Sequence, residues 1–73
     1  SVPASVLLEP EYRRIPNEAV RADHMWEAWQ RKGVSDKEVK DFMRTLEQWK
    51  MLSPKEGGII NKRILQKSGV PRR

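Results

Sequence analysis

The two residue types that most often form disulfides and zinc sites in small proteins are scarce here: cysteine is absent and histidine occurs once. Without cysteine, no disulfide can hold the fold together. A single histidine cannot complete the tetrahedral set of nitrogen and sulfur ligands that a structural zinc ion needs. The 73 residues therefore predict one domain at most, held by packing alone, with no metal and no cofactor.

Long apolar runs are also missing. A membrane-spanning helix needs about 18 or more consecutive apolar residues, and the sequence has no such run. The apolar run Val6-Leu7-Leu8 is too short for the hydrophobic region of a secretion signal. These observations predict an intracellular protein, in the cytoplasm or nucleoid or in the nucleus, without a membrane partner.

Catalytic motifs are missing as well. No serine lies in a G-x-S-x-G turn, and Gly57-Gly58 lacks the Lys-Ser/Thr pair of a phosphate-binding loop. His24 is predicted to face solvent, opposite the apolar stripe of its helix, with no second histidine or cysteine as partner. We therefore expect a protein that is not an enzyme on its own.

The N-terminal residues 1–16 contain three prolines, Pro3, Pro10 and Pro16. Proline lacks a backbone N–H and disfavours helix at the residue before it, so an extended arm is expected over 1–16. Five apolar residues of this arm are candidates for packing along the helices: Val6, Leu7, Leu8, Tyr12 and Ile15. The alternative is a loose tail.

A first helix is predicted at about 18–32. Asn17 can cap its free N–H groups, and Gly33 suits the left-handed position after its end. Apolar residues recur at helical spacing and define one face: Ala19, Ala22, Met25, Trp26 and Trp29.

A second helix begins at a capping box, S-x-x-E, formed by Ser35 and Glu38. Its apolar positions are Val39, Phe42, Met43, Leu46 and Trp49, and it should run to about Lys50 or Met51. All three tryptophans of the two helices are expected in the core. The alternative places one indole, that of Trp29, at the edge, where it could stack on a base or anchor a protein partner.

The segment 53–58 contains proline and two glycines and is expected to be a turn. A short third helix at about 59–68, ended by Gly69, is preferred after it. The alternative makes Met51-Leu52 and Ile59-Ile60 two strands of a wing. The predicted fold is therefore an all-α three-helix domain, helix-turn-helix-like or winged-helix-like, at 17–69, with the N-terminal arm at 1–16 and a basic C-terminal tail at 70–73.

The net charge of +5 is unevenly distributed. Residues 1–47 hold eight basic and nine acidic residues, whereas 48–73 hold seven basic residues and one acidic residue, a net +6. Such a cationic segment is typical of proteins that bind a polyanion, most often nucleic acid. The candidate nucleic-acid-binding residues are Lys50, Lys55, Lys62, Arg63, Gln66, Lys67, Arg72 and Arg73.

The leading hypothesis is a small non-enzymatic nucleic-acid-binding domain that contacts phosphates through 50–73, with DNA favoured over RNA. A regulator, or the binding domain of a recombination or replication protein, would fit this description. The alternative is a protein-interaction module that docks on a protein partner through the helical pair or through the apolar arm.

Overall fold

A computed structural model describes residues 10–69 of the chain. Within this range all regular secondary structure is helical, and no strand occurs. The four helices are α1 (Pro10–Arg13), α2 (Glu18–Arg31), α3 (Asp36–Gln48) and α4 (Pro54–Ser68). The all-α class is thus confirmed for the part of the chain that the structure describes.

The short helix α1 lies where the sequence predicted extended chain. Proline is well tolerated at the first position of a helix, because the N–H that it lacks would have no partner there. Pro10 occupies that position, and the helix ends at Arg13, before Pro16. Tyr12 is buried in the core and Ile15 packs against it, as expected of these two residues. The apolar residues Val6, Leu7 and Leu8 lie outside the described range.

Helix α2 has both predicted caps. The side chain of Asn17 accepts a hydrogen bond from the Val20 N–H at 3.0 Å. At the other end Gly33 adopts φ +73°, and its N–H donates to the Gln30 carbonyl. The left-handed conformation of Gly33 ends α2 and turns the chain before α3.

The core lies between α2, α3 and α4. Its buried apolar residues are Tyr12, Ala22, Met25, Trp26, Ala28, Trp29, Val39, Phe42, Met43, Leu46, Leu52, Ile60 and Ile64. The rings of Trp29 and Phe42 meet edge to face, with centroids 5.7 Å apart. Two bulky rings from different helices therefore occupy much of the volume of this small core.

Trp49 was predicted in the core, and this prediction is wrong: the residue is 49% exposed. Helix α3 ends at Gln48, less than one turn before the predicted end at Lys50 or Met51. Trp49 is its C-terminal cap. At 3.6 residues per turn, position 49 also lies about 80° around the axis from Val39. The ten-residue spacing therefore placed Trp49 at the margin of the apolar stripe.

Helix α4 begins at Pro54, so the predicted turn over 53–58 is wrong and the predicted third helix is longer than expected. Ser53 and Glu56 form a second capping box, and Pro54 occupies the first helical position, where proline is favoured. Ile60 is fully buried within this helix. Because 59–60 are helical, the alternative of a wing is also wrong.

Candidate nucleic-acid interface

Helix α4 carries most of the candidate binding residues, and its register separates them into two groups. Ile60 and Ile64 define the side that faces the core. Lys55, Lys62 and Gln66 are spaced by seven and four residues, so they lie on the opposite, exposed side. We call these three residues the outer face of α4.

The two lysines of the outer face carry uncompensated charge. Within 10–69, neither Lys55 nor Lys62 makes an ion pair or a side-chain hydrogen bond. The single acidic residue of α4 is Glu56, which is buried. Seven residues of helix separate the lysines by about 10.5 Å along the axis. The early start of the helix at Pro54 is what places Lys55 in line with Lys62.

Arg63 and Lys67 form the second group, on the flank of α4 that faces α2. The Arg63 guanidinium lies 2.9 Å from an Asp23 carboxylate oxygen. The Lys67 ammonium lies 3.3 Å from an Asp36 oxygen and 5.9 Å from the centroid of the Trp26 ring. Such half-exposed pairs contribute about 0–1 kcal/mol each. Two of the predicted binding residues are therefore engaged with other helices.

Gln30 is a polar residue of this flank that the sequence analysis did not select. Its Oε1 accepts a hydrogen bond from the Lys67 ammonium at 2.9 Å, whereas its Nε2 is buried and has no hydrogen-bond partner among residues 10–69. Gln30 lines a shallow depression of about 390 Å³ together with Trp26, Arg63, Gln66 and Lys67. Gln30 reaches Lys67 because α2 packs against α4, and no local pattern in the sequence predicts that packing.

The first turn of α4 is anchored to α2 by a buried ion pair. Arg21 Nε lies 2.6 Å from Glu56 Oε2, and the Glu56 side chain is 1% exposed. A second nitrogen of Arg21 donates to the Ile15 carbonyl at 3.1 Å. One guanidinium therefore joins the N-terminal segment, α2 and α4, and it fixes the end of α4 from which the outer face begins.

Burial alone would raise the pKa of Glu56. Hydrogen bonds from Arg21 and from the Ser53 backbone and hydroxyl outweigh it, together with the nearby positive charge, so the pKa lies below its usual range. The hydrogen bond to Glu56 raises the pKa of Arg21 despite partial burial. Glu56 is therefore ionised near neutral pH, and its charge is balanced inside the fold.

Lys50 lies apart from the outer face, at the end of α3. Its φ is +60°, the left-handed region that glycine occupies after α2. The Lys50 N–H donates to the Glu47 carbonyl, and the Met51 N–H donates to the Leu46 carbonyl. This is the Schellman arrangement with lysine in the glycine position. The remaining candidates, Arg72 and Arg73, lie outside the described residues.

His24 is exposed, as expected. Among residues 10–69 there is no cluster of three or more histidine or acidic side chains that could hold a metal ion. None of the described helices has the length and apolar content needed to cross a membrane.

Comparisons of the chain with protein-family models, with curated proteins and with solved structures found no match.

Proposed function

We propose that this chain is a nucleic-acid-binding domain without catalytic activity of its own, and that it binds DNA in preference to RNA. The observation that carries the proposal is the outer face of α4, where the only acidic residue on the helix of Lys55 and Lys62 is the buried Glu56, which is paired with Arg21. Lysine ammonium groups gain affinity for phosphates by releasing the counterions that surround nucleic acid.

A comparison with α3 supports α4 as the binding element. Helix α3 has three basic and four acidic residues, and its exposed Arg44 is paired with Asp41 at 3.0 Å. On α4 there are four basic residues and only the buried Glu56. A polyanion would be attracted to α4 and weakly repelled by α3.

Helix-turn-helix proteins place one helix of a small bundle in the major groove, and we extend the proposal to such docking by α4. Gln66 lies on the outer face, where its amide could pair with adenine, and Arg63 is placed beside it. Arg63 would have to exchange Asp23 for a base or phosphate. We therefore assign backbone contacts to Lys55 and Lys62 before any reading of sequence.

The test is binding of the full chain to duplex DNA, single-stranded DNA and RNA over a salt series. We expect affinity to fall linearly with salt on logarithmic axes. Lys55→Gln and Lys62→Gln should each weaken binding by about three- to tenfold and reduce the salt slope by about 1.

Matched controls are Lys37→Gln and Lys40→Gln, which remove the same charge from exposed positions on α3. We expect them to change the affinity by less than about twofold, since their helix carries acidic neighbours. Absence of binding to all three nucleic acids at low salt, or equal losses for the α3 and α4 variants, would contradict the proposal.

A protein-interaction module is the second candidate, and the exposed indole of Trp49 favours it. Trp49 and Leu65 are 49% and 55% exposed, and large apolar side chains of this kind anchor protein interfaces. In that case the chain would bind a protein partner even at high salt, and Trp49→Ala would abolish this binding. The same variant should leave the salt slope of nucleic-acid binding unchanged.

A further inference from the structure

A cleft lies between α1, the end of α3 and the start of α4. Its volume is about 530 Å³. The residues that line it are Arg13, Arg21, Glu47, Lys50, Met51, Leu52, Ser53 and Glu56. Three of them are cationic and two are anionic, and they come from segments that are distant in the sequence.

The charges of the cleft do not cancel. Arg21 and Glu56 neutralise each other at 2.6 Å. Of the remaining three groups, Glu47 is acidic, whereas Arg13 and Lys50 are basic, and none of these three has an ion pair within the described residues. The described polar contact of the Arg13 guanidinium is with the sulfur of Met51, at 3.8 Å. The cleft therefore holds one uncompensated positive charge and free guanidinium donors.

The backbone of Lys50 supplies an independent observation. Left-handed conformation disfavours a residue with a Cβ by about 1–2 kcal/mol, and glycine avoids this cost. Gly33 fills the equivalent position after α2, but the chain has lysine at position 50, on the wall of the cleft. Strained residues that keep a functional side chain are concentrated at binding sites.

We propose that this cleft binds a phosphate group, with the Arg13 guanidinium and the Lys50 ammonium as its ligands. Guanidinium donors match the oxygens of a phosphate in a bidentate manner, and the ammonium adds a point charge.

The source of the phosphate is the backbone of the nucleic acid that α4 contacts, and this part of the inference rests on the proposed function. Ser53 and Glu56 of the cleft belong to the same turn as Lys55. A strand that runs along the outer face of α4 would therefore reach the cleft beyond its first turn. Arg13 becomes a nucleic-acid contact that the charge distribution of the sequence did not indicate.

Four variants test the cleft. Arg13→Gln and Lys50→Gly remove the two ligands, Glu47→Gln removes the opposing charge, and Arg14→Gln is the matched control. Arg14 is exposed and adjacent to Arg13, but it does not line the cleft.

For duplex DNA, Arg13→Gln and Lys50→Gly should each lower affinity by about three- to tenfold and reduce the salt slope by about 1. Glu47→Gln should raise affinity, and Arg14→Gln should leave the slope unchanged. Lys50→Gly should raise Tm while it weakens binding, which a purely structural role for Lys50 would not produce. If Arg13→Gln and Lys50→Gly bind DNA as the unchanged chain does, while Lys62→Gln still weakens binding, the proposal that the cleft binds phosphate is wrong. The proposed function would not be affected by that result.

A second arm is independent of nucleic acid. In NMR titrations with inorganic phosphate, the Arg13 side-chain and Lys50 backbone N–H signals should shift saturably, relative to chloride at equal ionic strength. Arg13→Gln should abolish the saturable shift of Lys50. If this holds but no nucleic acid binds, the cleft is a site for a small phosphate and the proposed function fails. If neither arm shows binding, both inferences are wrong.

Discussion

Helices α3 and α4 begin with the same four-residue motif, and its surroundings differ completely. Ser35 and Glu38 exchange hydrogen bonds of 3.0 and 3.2 Å in solvent at the start of α3. Ser53 and Glu56 exchange bonds of 2.9 and 3.2 Å at the start of α4, but Glu56 is buried. The local geometry is the same, whereas only the second motif has its glutamate side chain in a buried ion pair with another helix. A capping box can therefore act as a local device or as a tertiary contact.

The largest expected difference between the two motifs concerns their glutamates. Glu56→Gln leaves the Arg21 guanidinium without its anionic partner, and removal of one member of a buried pair costs about 3–5 kcal/mol when both charges are fully buried. Arg21 is 22% exposed, so we expect a loss of about 2–3 kcal/mol in the free energy of unfolding. Urea denaturation measures it.

The control for this loss is Glu38→Gln, which changes an exposed member of the same motif and should cost less than about 1 kcal/mol. Equal losses for the two variants would mean that the Arg21–Glu56 pair adds nothing to the cap.

Acidification should also weaken the contribution of Glu56 to stability. The resulting loss in the free energy of unfolding should not exceed the loss caused by Glu56→Gln. The folded state lowers the pKa of Glu56, so this carboxylate stabilises the fold above its unfolded pKa of about 4.3. That stability is lost as the pH falls through the lower pKa of the folded state. Denaturation between pH 7 and pH 2 should therefore show a decline below about pH 4.3 that is reduced in Glu56→Gln. Parallel pH profiles of the two proteins would argue against a lowered pKa.

The serines should differ less than the glutamates. Removal of an N-cap serine costs about 0.5–2 kcal/mol. We expect Ser53→Ala to fall near the upper end, because its cap bond is partly buried, and Ser35→Ala near the lower end, because its cap bond is exposed. Thermal unfolding of the two variants measures the difference, and a larger loss for Ser35→Ala would reverse the comparison.

The smallest effect is a gain in α4. Gly58 has helical backbone, and a Cβ there would meet no other part of the described chain within 4 Å beyond its own stretch of helix. Gly58→Ala should therefore stabilise the protein by up to about 1 kcal/mol, because alanine has the higher helix propensity. Gly33→Ala is the contrasting variant, since φ is +73° there, and it should destabilise. A loss of stability in Gly58→Ala would show that α4 needs the glycine for another reason.

The sequence predicted α2 and α3 well because their signals are local. Asn17, Gly33 and the Ser35–Glu38 box lie within a few residues of the helix ends that they mark. The start of α4 was mispredicted although Ser53 and Glu56 repeat the same box. Proline and paired glycines are more common in turns, and the tertiary contact that offsets their low helix propensity is not visible in the sequence.

The sequence predicted the positive charge of the candidate site. It did not predict which of the basic side chains form ion pairs with acidic residues. The excess of lysine and arginine after position 48 is visible in the sequence, and five of the eight candidate residues that it selects lie on α4. Arg63 and Asp23 are 40 residues apart, and their ion pair depends on the packing of α2 against α4. The same packing brings Arg13 and Lys50 to one cleft. Only the three-dimensional arrangement distinguishes the paired cations from the free ones.

The two glycines in the second turn of α4 also affect the order of folding. Helix nucleation is unfavourable in any sequence, and glycine makes it more so. During folding, the start of α4 would therefore remain unfolded until Arg21 can meet Glu56. This contact requires α2 to be formed. We expect α2 and α3 to fold first and α4 to dock on them, so that its amide hydrogens exchange through partial opening of the native state. The helix with the strongest positive charge would then be the last part of the bundle to assemble.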